Sequence, residues 1–150
     1  MSKVVLFFYK IAFFLMQKKI PLLPNIFNKL FVRILFGCYI GLGARIGKGT
    51  RIGYGGIGVV IHHRAIIGNN VIIHTGVTIG GTTKHYKVPI IGDNSIIASG
   101  AKIIGPISIG NNCIIGANAV VLESIPDNCV AVGVPAKIIK RNINIFHYRD

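Results

Sequence analysis

The sequence has no tryptophan and only four acidic side chains, Asp93, Glu123, Asp127 and Asp150, against 17 Lys and Arg. A reaction that needs two neighbouring carboxylates, as glycoside hydrolysis does, has almost nothing to draw on. Cysteine is equally sparse. Cys38, Cys113 and Cys129 form no CxxC pair and share no metal-binding spacing with histidine. No metal site and no disulfide framework is therefore expected, and a reducing cytosol is the simpler setting. A membrane-spanning run is also missing. Val4 to Met16 is apolar except for Tyr9 and Lys10, too short to span, and no small-x-small cleavage signal follows it. Two readings of that stretch stay open. It is either a helix packed on the body of the protein, the preferred reading, or a peripheral membrane contact through residues 4–19. The second would place Lys10, Lys18 and Lys19 at the headgroups.

The 150 residues fit one domain with a sizeable core. Hydrophobic residues make up 51% and charged residues 14%, which excludes a disordered chain. The net charge of +13 favours an anionic partner. Nucleic acid fits poorly, because the aromatic residues gather in the N-terminal segment instead of interleaving with the basic ones.

What the sequence does have is a period of six. Ile40, Ile46 and Ile52 begin it. Ile61, Ile67, Ile73 and Ile79 continue it, and Ile91, Ile97, Ile103, Ile109, Ile115 and Val121 complete it. Glycine follows most of these anchors, and a small or β-branched residue comes four positions after most of them. Six is neither a helical nor a simple strand period. It describes a short strand and a bend, with glycine and asparagine in "IGNN", "IGDN" and "IGAN" tolerating the left-handed backbone of the bend. Three units close one triangular coil, and stacked coils pile the isoleucines into a central column. Before the repeat, Ile26, Phe27, Leu30, Phe31, Ile34 and Leu35 recur at helical spacing, with Asn25 as cap and Gly37 as stop. This helix is expected to cover the open end of the coil. The expected divisions are a helical segment at 1–37, a β-helix at 38–126 with a loop at 81–90, and a C-terminal extension at 127–150.

The rhythm breaks twice, with nine residues between Ile52 and Ile61 and twelve between Ile79 and Ile91. Assigning anchors in turn to faces A, B and C puts Ile61 and Ile79 on face A, so both detours should flank the same strip. His62 follows Ile61 there, below Gly80, beside a loop that carries His85. An imidazole in a partly enclosed pocket suits a general base. His62 and His85 are the catalytic candidates and His74, beside the first detour, is the reserve. His63 and His147 read as solvated.

"VTIGG", the looped-out histidine and "AVGVPAK" give the repeat a more specific likeness. Over roughly residues 40 to 140 the chain resembles the left-handed parallel β-helix of hexapeptide-repeat acyltransferases. It is similar to the C-terminal half of serine acetyltransferases and to their relatives that acetylate polysaccharides. The resemblance implies acetyl-CoA as co-substrate and a homotrimer with active sites between subunits. It also implies a cofactor groove, at positions that here are Gly81, Ala98, Ser99, Ala117, Gly133, Lys137 and Lys140. It implies a catalytic histidine in the turn that is "GYGG" here and an aspartate where Tyr39 stands. Tyr54 or Gly55 replaces the first, so that dyad does not carry over. The expected function is O-acetyl transfer to a hydroxyl, with a sugar of a surface polysaccharide as acceptor and free serine as the alternative. A non-enzymatic scaffold binding membranes or polyanions is the reading from a different class. A β-helix carbonic anhydrase would need an H-x4-H pair, which is absent.

Overall fold

From Tyr39 onward the computed structural model, which describes residues 4–149, winds as a parallel β-helix with three flat faces. Face A stacks β1 (Tyr39–Ile40), β4 (Val60–Ile61), β7 (Thr78–Gly80), β10 (Lys102–Ile104) and β13 (Val120–Val121). Face B stacks β2 (Arg45–Ile46), β5 (Ile66–Ile67), β8 (Ile90–Ile91) and β11 (Ser108–Ile109). Face C stacks β3 (Arg51–Ile52), β6 (Ile72–Ile73), β9 (Ile96–Ile97), β12 (Ile114–Ile115) and β14 (Val130–Val132), so the coil runs on past residue 126. β15 (Lys137–Lys140) then closes the sheet antiparallel to β14. The six-residue anchors pair in register, Ile40 under Ile61 under Ile79 under Ile103 under Val121 on face A. They form the buried column expected of them, except Ile46 in the first coil, which is half-buried.

One corner explains why asparagine recurs. Between faces B and C, Asn70, Asn94, Asn112 and Asn128 all hold positive φ. Their amides form a ladder: Asn70 donates to Asn94, Asn94 to Asn112 and Asn112 to Asn128, at 3.4, 3.2 and 3.0 Å. The residue before each adds a second ladder, in which the Asn69 N–H donates to Asp93, the Asp93 N–H to Asn111 and the Asn111 N–H to Asp127. Inside the same corner the buried Thr50 and Ser95 hydroxyls tie neighbouring coils, each donating to a carbonyl and accepting from an N–H. A buried hydroxyl is tolerated when both its roles are filled.

A helical hairpin covers the first coil. α1 (Val4–Gln17) buries Val5, Leu6, Tyr9 and Ala12, which realises the packed reading of this stretch. α2 (Leu23–Phe27) runs into a π-helical stretch, Asn28–Ile34, and Phe8 of α1 stacks on Phe31 at 5.1 Å. The first coil has no coil beneath it to satisfy its backbone. The Tyr9 hydroxyl bridges the carbonyl oxygens of Gly41 and Ala44, and the Asn28 amide donates to that of Ile40. Burial pushes the Tyr9 phenol well above its ordinary pKa, so it stays a donor.

Two expectations for this segment need correction. Asn25 is not a cap: it lies inside α2, which starts at Leu23 with Pro24 in its first turn. The helical spacing also marked Ile26, Leu30, Ile34 and Leu35 for burial, yet all four are exposed while Val32 is buried. A π-helical turn takes more residues per turn than the 3.6 assumed, so it rotates the inward face away from the regular pattern. Gly37 does end the helix, at φ +60°.

At the other end the tail turns back down the molecule. Ile145 is buried, a 3₁₀ turn spans Ile145–Tyr148, and Arg149 donates to the Asn70 carbonyl near the bottom of the corner ladder. The three cysteines are free and buried.

Candidate active site

Face A has two edges, and the candidate residues divide between them. His62, His63, Arg64 and Gly81 lie at the edge shared with face B, because they follow Ile61 and Ile79. His74, Ala98, Ser99, Ala117 and Gly133 lie at the edge shared with face C, because they follow β6, β9, β12 and β14. A face width, on the order of 13 Å at ~3.3 Å per residue, separates the two groups.

At the A/B edge His62 is half-buried and stacked on the exposed His63, ring centroids 4.3 Å apart. Its Nδ1 accepts the Arg64 backbone N–H at 3.1 Å, which in the neutral ring leaves the proton on Nε2. Burial, then the nearby charges of His63 and Arg64, hold its pKa below the ordinary histidine value. The ring is therefore neutral near pH 7 and presents an Nε2–H donor. Its one lone pair is already engaged, which suits an oxyanion donor better than a base. Gly80 above it leaves the room expected: a side chain there would meet only the tip of Ile104, at 3.5 Å, and Thr78.

The two detours do not converge. The first, a 3₁₀ turn at Gly53–Gly56 with Tyr54 and Gly55 at positive φ, enters face A from the C side. The loop 81–90 leaves at the opposite edge and folds toward face B, where Val88 and Pro89 are buried. Arg64 stacks on the ring of Tyr86 at 4.1 Å and holds the loop there. Between loop and face is a cleft of about 420 Å³ lined by Arg64, Ile66, Tyr86, Lys87, Ile90 and Ser108 among others. Neither His62 nor His85 lines it, and His85 is exposed on the loop.

At the C/A edge the small residues form a column. The Ala98 N–H donates to Ile115, Gly100 to Thr75, Asn118 to Ser99 and Val120 to Gly133, so each coil is locked to the next. His74 stands at the foot of this column with Gly53 below it, in a cavity of about 400 Å³ that also receives Arg51, Tyr148 and Arg149. From sequence His74 has only a reserve place, and Arg51 and the tail have no role. The alternation of β3 and β6 could have paired Arg51 with Ile72, but nothing local signals that residue 149 returns to it. Lys137 is exposed on β15 next to Val132, above the column, and Lys140 is exposed at the strand's far end. Lys102, also unassigned from sequence, reaches back to the C/A corner and donates to the Gly76 carbonyl at 2.6 Å. Among the described residues, no three His, Cys, Asp or Glu side chains gather as a metal site would require.

Comparison with known proteins agrees with this architecture. Residues 89–123 match the family model described as bacterial transferase hexapeptide (six repeats). The chain is 40% identical over 136 residues to a serine acetyltransferase of Synechococcus elongatus, covering 89% of this chain and 55% of that protein. The crystal structure of Neisseria gonorrhoeae serine acetyltransferase superposes with a TM-score of 0.87 at 34% identity, covering 95% of this chain and 57% of that one. A serine acetyltransferase in complex with CoA gives 0.80 at 33% identity, covering 90% and 55%. The chain thus spans little more than half the length of these relatives. Residues 89–123 thus carry the hexapeptide-repeat family's signature, and the chain is similar along its β-helix to the serine acetyltransferases.

Proposed function

We propose that the chain is an acetyl-CoA-dependent O-acetyltransferase whose active site is completed by a second copy of the chain, in a homotrimer. The observation that carries this reading is the column of small residues rising from His74. Ala98, Ser99, Ala117 and Gly133 keep side-chain bulk off that edge, which suits a pantetheine arm laid along it, while Lys137 and Lys140 stand exposed for phosphates. His62, Gly81 and His85 lie a face width away and reach that groove only from a neighbouring subunit.

Acetyl-CoA supplies the thioester to be attacked. His74 takes the proton from the acceptor hydroxyl as its oxygen bonds to the thioester carbon, and returns a proton to the departing thiolate. The Nε2–H of the neighbour's His62 and the backbone N–H of its Gly81 face the developing oxyanion. A donor of this kind is typically worth about 3–4 kcal/mol. His85 on the neighbour's loop contacts the acceptor.

The relatives are named serine acetyltransferases, which favours free serine as the acceptor over the polysaccharide sugar. The sugar stays as a second reading because of two residues. Tyr39 stands where the family's aspartate is expected and Tyr54 or Gly55 where its histidine is, so a serine site of the usual kind is incomplete here. No helix among the described residues is long and apolar enough to cross a membrane. Thiol release from acetyl-CoA, measured with serine, nucleotide sugars and oligosaccharides in parallel, tests the proposal. We expect release that depends on one acceptor and falls about 10²–10⁴-fold in His74→Ala. Unchanged release in His74→Ala would move the base elsewhere, and silence with every acceptor would overturn the enzyme.

A further inference from the structure

The helical hairpin leaves one side bare. Leu22, Ile26, Leu30 and Ile34 are 75, 59, 49 and 66% exposed, and Phe7 on the neighbouring helix is 61% exposed. The spacing 26, 30, 34 puts one apolar side chain on each turn of a single stripe, and Leu22 stands just before its first turn. Lys29 and Arg33 flank the stripe, and Lys18 lies in the connection between the helices; all three are exposed. Soluble monomers rarely expose so continuous an apolar strip without a partner for it.

Charge identifies the partner. Residues 1–92, which include the hairpin, contain twelve Lys and Arg and no Asp or Glu, so this part of the chain carries charge of one sign only. A contact of this face with the same face of a second copy would bring two basic surfaces together with no acid in residues 1–92 of either to offset them. We infer that this face docks flat on an anionic lipid bilayer, with the stripe among the upper acyl chains and the lysines at the phosphates. The membrane contact thus falls mainly on residues 22–34 and not on the buried face of α1. The inference does not depend on the enzymatic reading.

Co-sedimentation of the full chain with vesicles provides the test. The chain is expected to pellet with an equal mixture of phosphatidylcholine and phosphatidylglycerol, to remain in solution with phosphatidylcholine alone, and to be released by salt. Leu30→Glu with Ile34→Glu should weaken binding by at least about ten-fold. Lys18→Gln with Lys29→Gln should weaken it about thirty-fold, at roughly five-fold per lysine. The lysine pair lies on the surface, so it remains informative if the glutamate pair does not fold. Absence of binding to the mixed vesicles at low salt would overturn the inference, as would binding equal to wild type in both variants. So would a glutamate pair that splits a larger assembly in sedimentation velocity while still binding vesicles, since the stripe would then belong to a second copy.

Discussion

Tyr9 does for the first coil what a preceding coil would do, and its hydroxyl is the only part of it that Phe lacks. Tyr9→Phe keeps the packing and leaves the Ala44 carbonyl buried without a donor, while the Gly41 carbonyl keeps the Ala44 N–H. The expected loss is about 1–3 kcal/mol, read from urea unfolding. A loss near zero would mean that water reaches this end of the coil. His62 gives a second expectation at this scale. Its native pKa lies below the ordinary value of 6.5, so on acidification the unfolded chain binds a proton first. His62 adds nothing to stability above that range and subtracts from it as pH falls through it. His62→Asn should therefore lose less melting temperature between pH 7 and pH 5 than wild type does; an equal drop would place the acid sensitivity elsewhere. The isoleucine anchors could be read one by one because each is an apolar residue at a fixed period. Tyr9 could not, since its partners lie 32 and 35 residues away and only the closed coil brings them together.

The corner ladder makes the element, not the residue, the unit of stability. Asn94 has φ +58° and both accepts from Asn70 and donates to Asn112. Asn94→Gly removes the ladder bonds but keeps the backbone, whereas Asn94→Ala removes the bonds and strains the backbone as well. Ala should cost about 1 kcal/mol more than Gly after allowing for the greater freedom of glycine in the unfolded chain. If alanine proves the milder change, the side-chain ladder and not the turn geometry selects asparagine. Gly68 is constrained in a different way: a Cβ there would lie 2.8 Å from the Asp93 backbone nitrogen, so Gly68→Ala must push one coil off the next. Strand register, faces and bends were all legible from the period of six, because each coil repeats the same local conflict between strand and turn. The hairpin and the loop were not. A π-helical stretch has no marker in residue type, and the loop's direction is decided by Arg64 meeting Tyr86 across 22 positions of sequence.

At the scale of the whole molecule the question is why one chain should place its candidate residues on two edges of a face. A prism cannot bring its own edges together without unwinding, and every strand of face A is held in register by its neighbours. A second prism laid edge to edge meets the requirement without distorting either. In a closed ring each site then takes His74 from one chain and His62 with Gly81 from the next. This arrangement predicts complementation. Chains carrying His74→Ala and chains carrying Gly81→Pro, each inactive alone, should recover activity when denatured together and refolded as mixed assemblies. A random equal mixture leaves about a quarter of the sites with both edges intact, so about a quarter of wild-type thiol release is expected. A site held within one chain would recover none, because every chain in the mixture carries a defect. The same mixture separates the two acceptor readings, since the intact sites must regain release with serine if serine is the substrate and with the sugar if it is not.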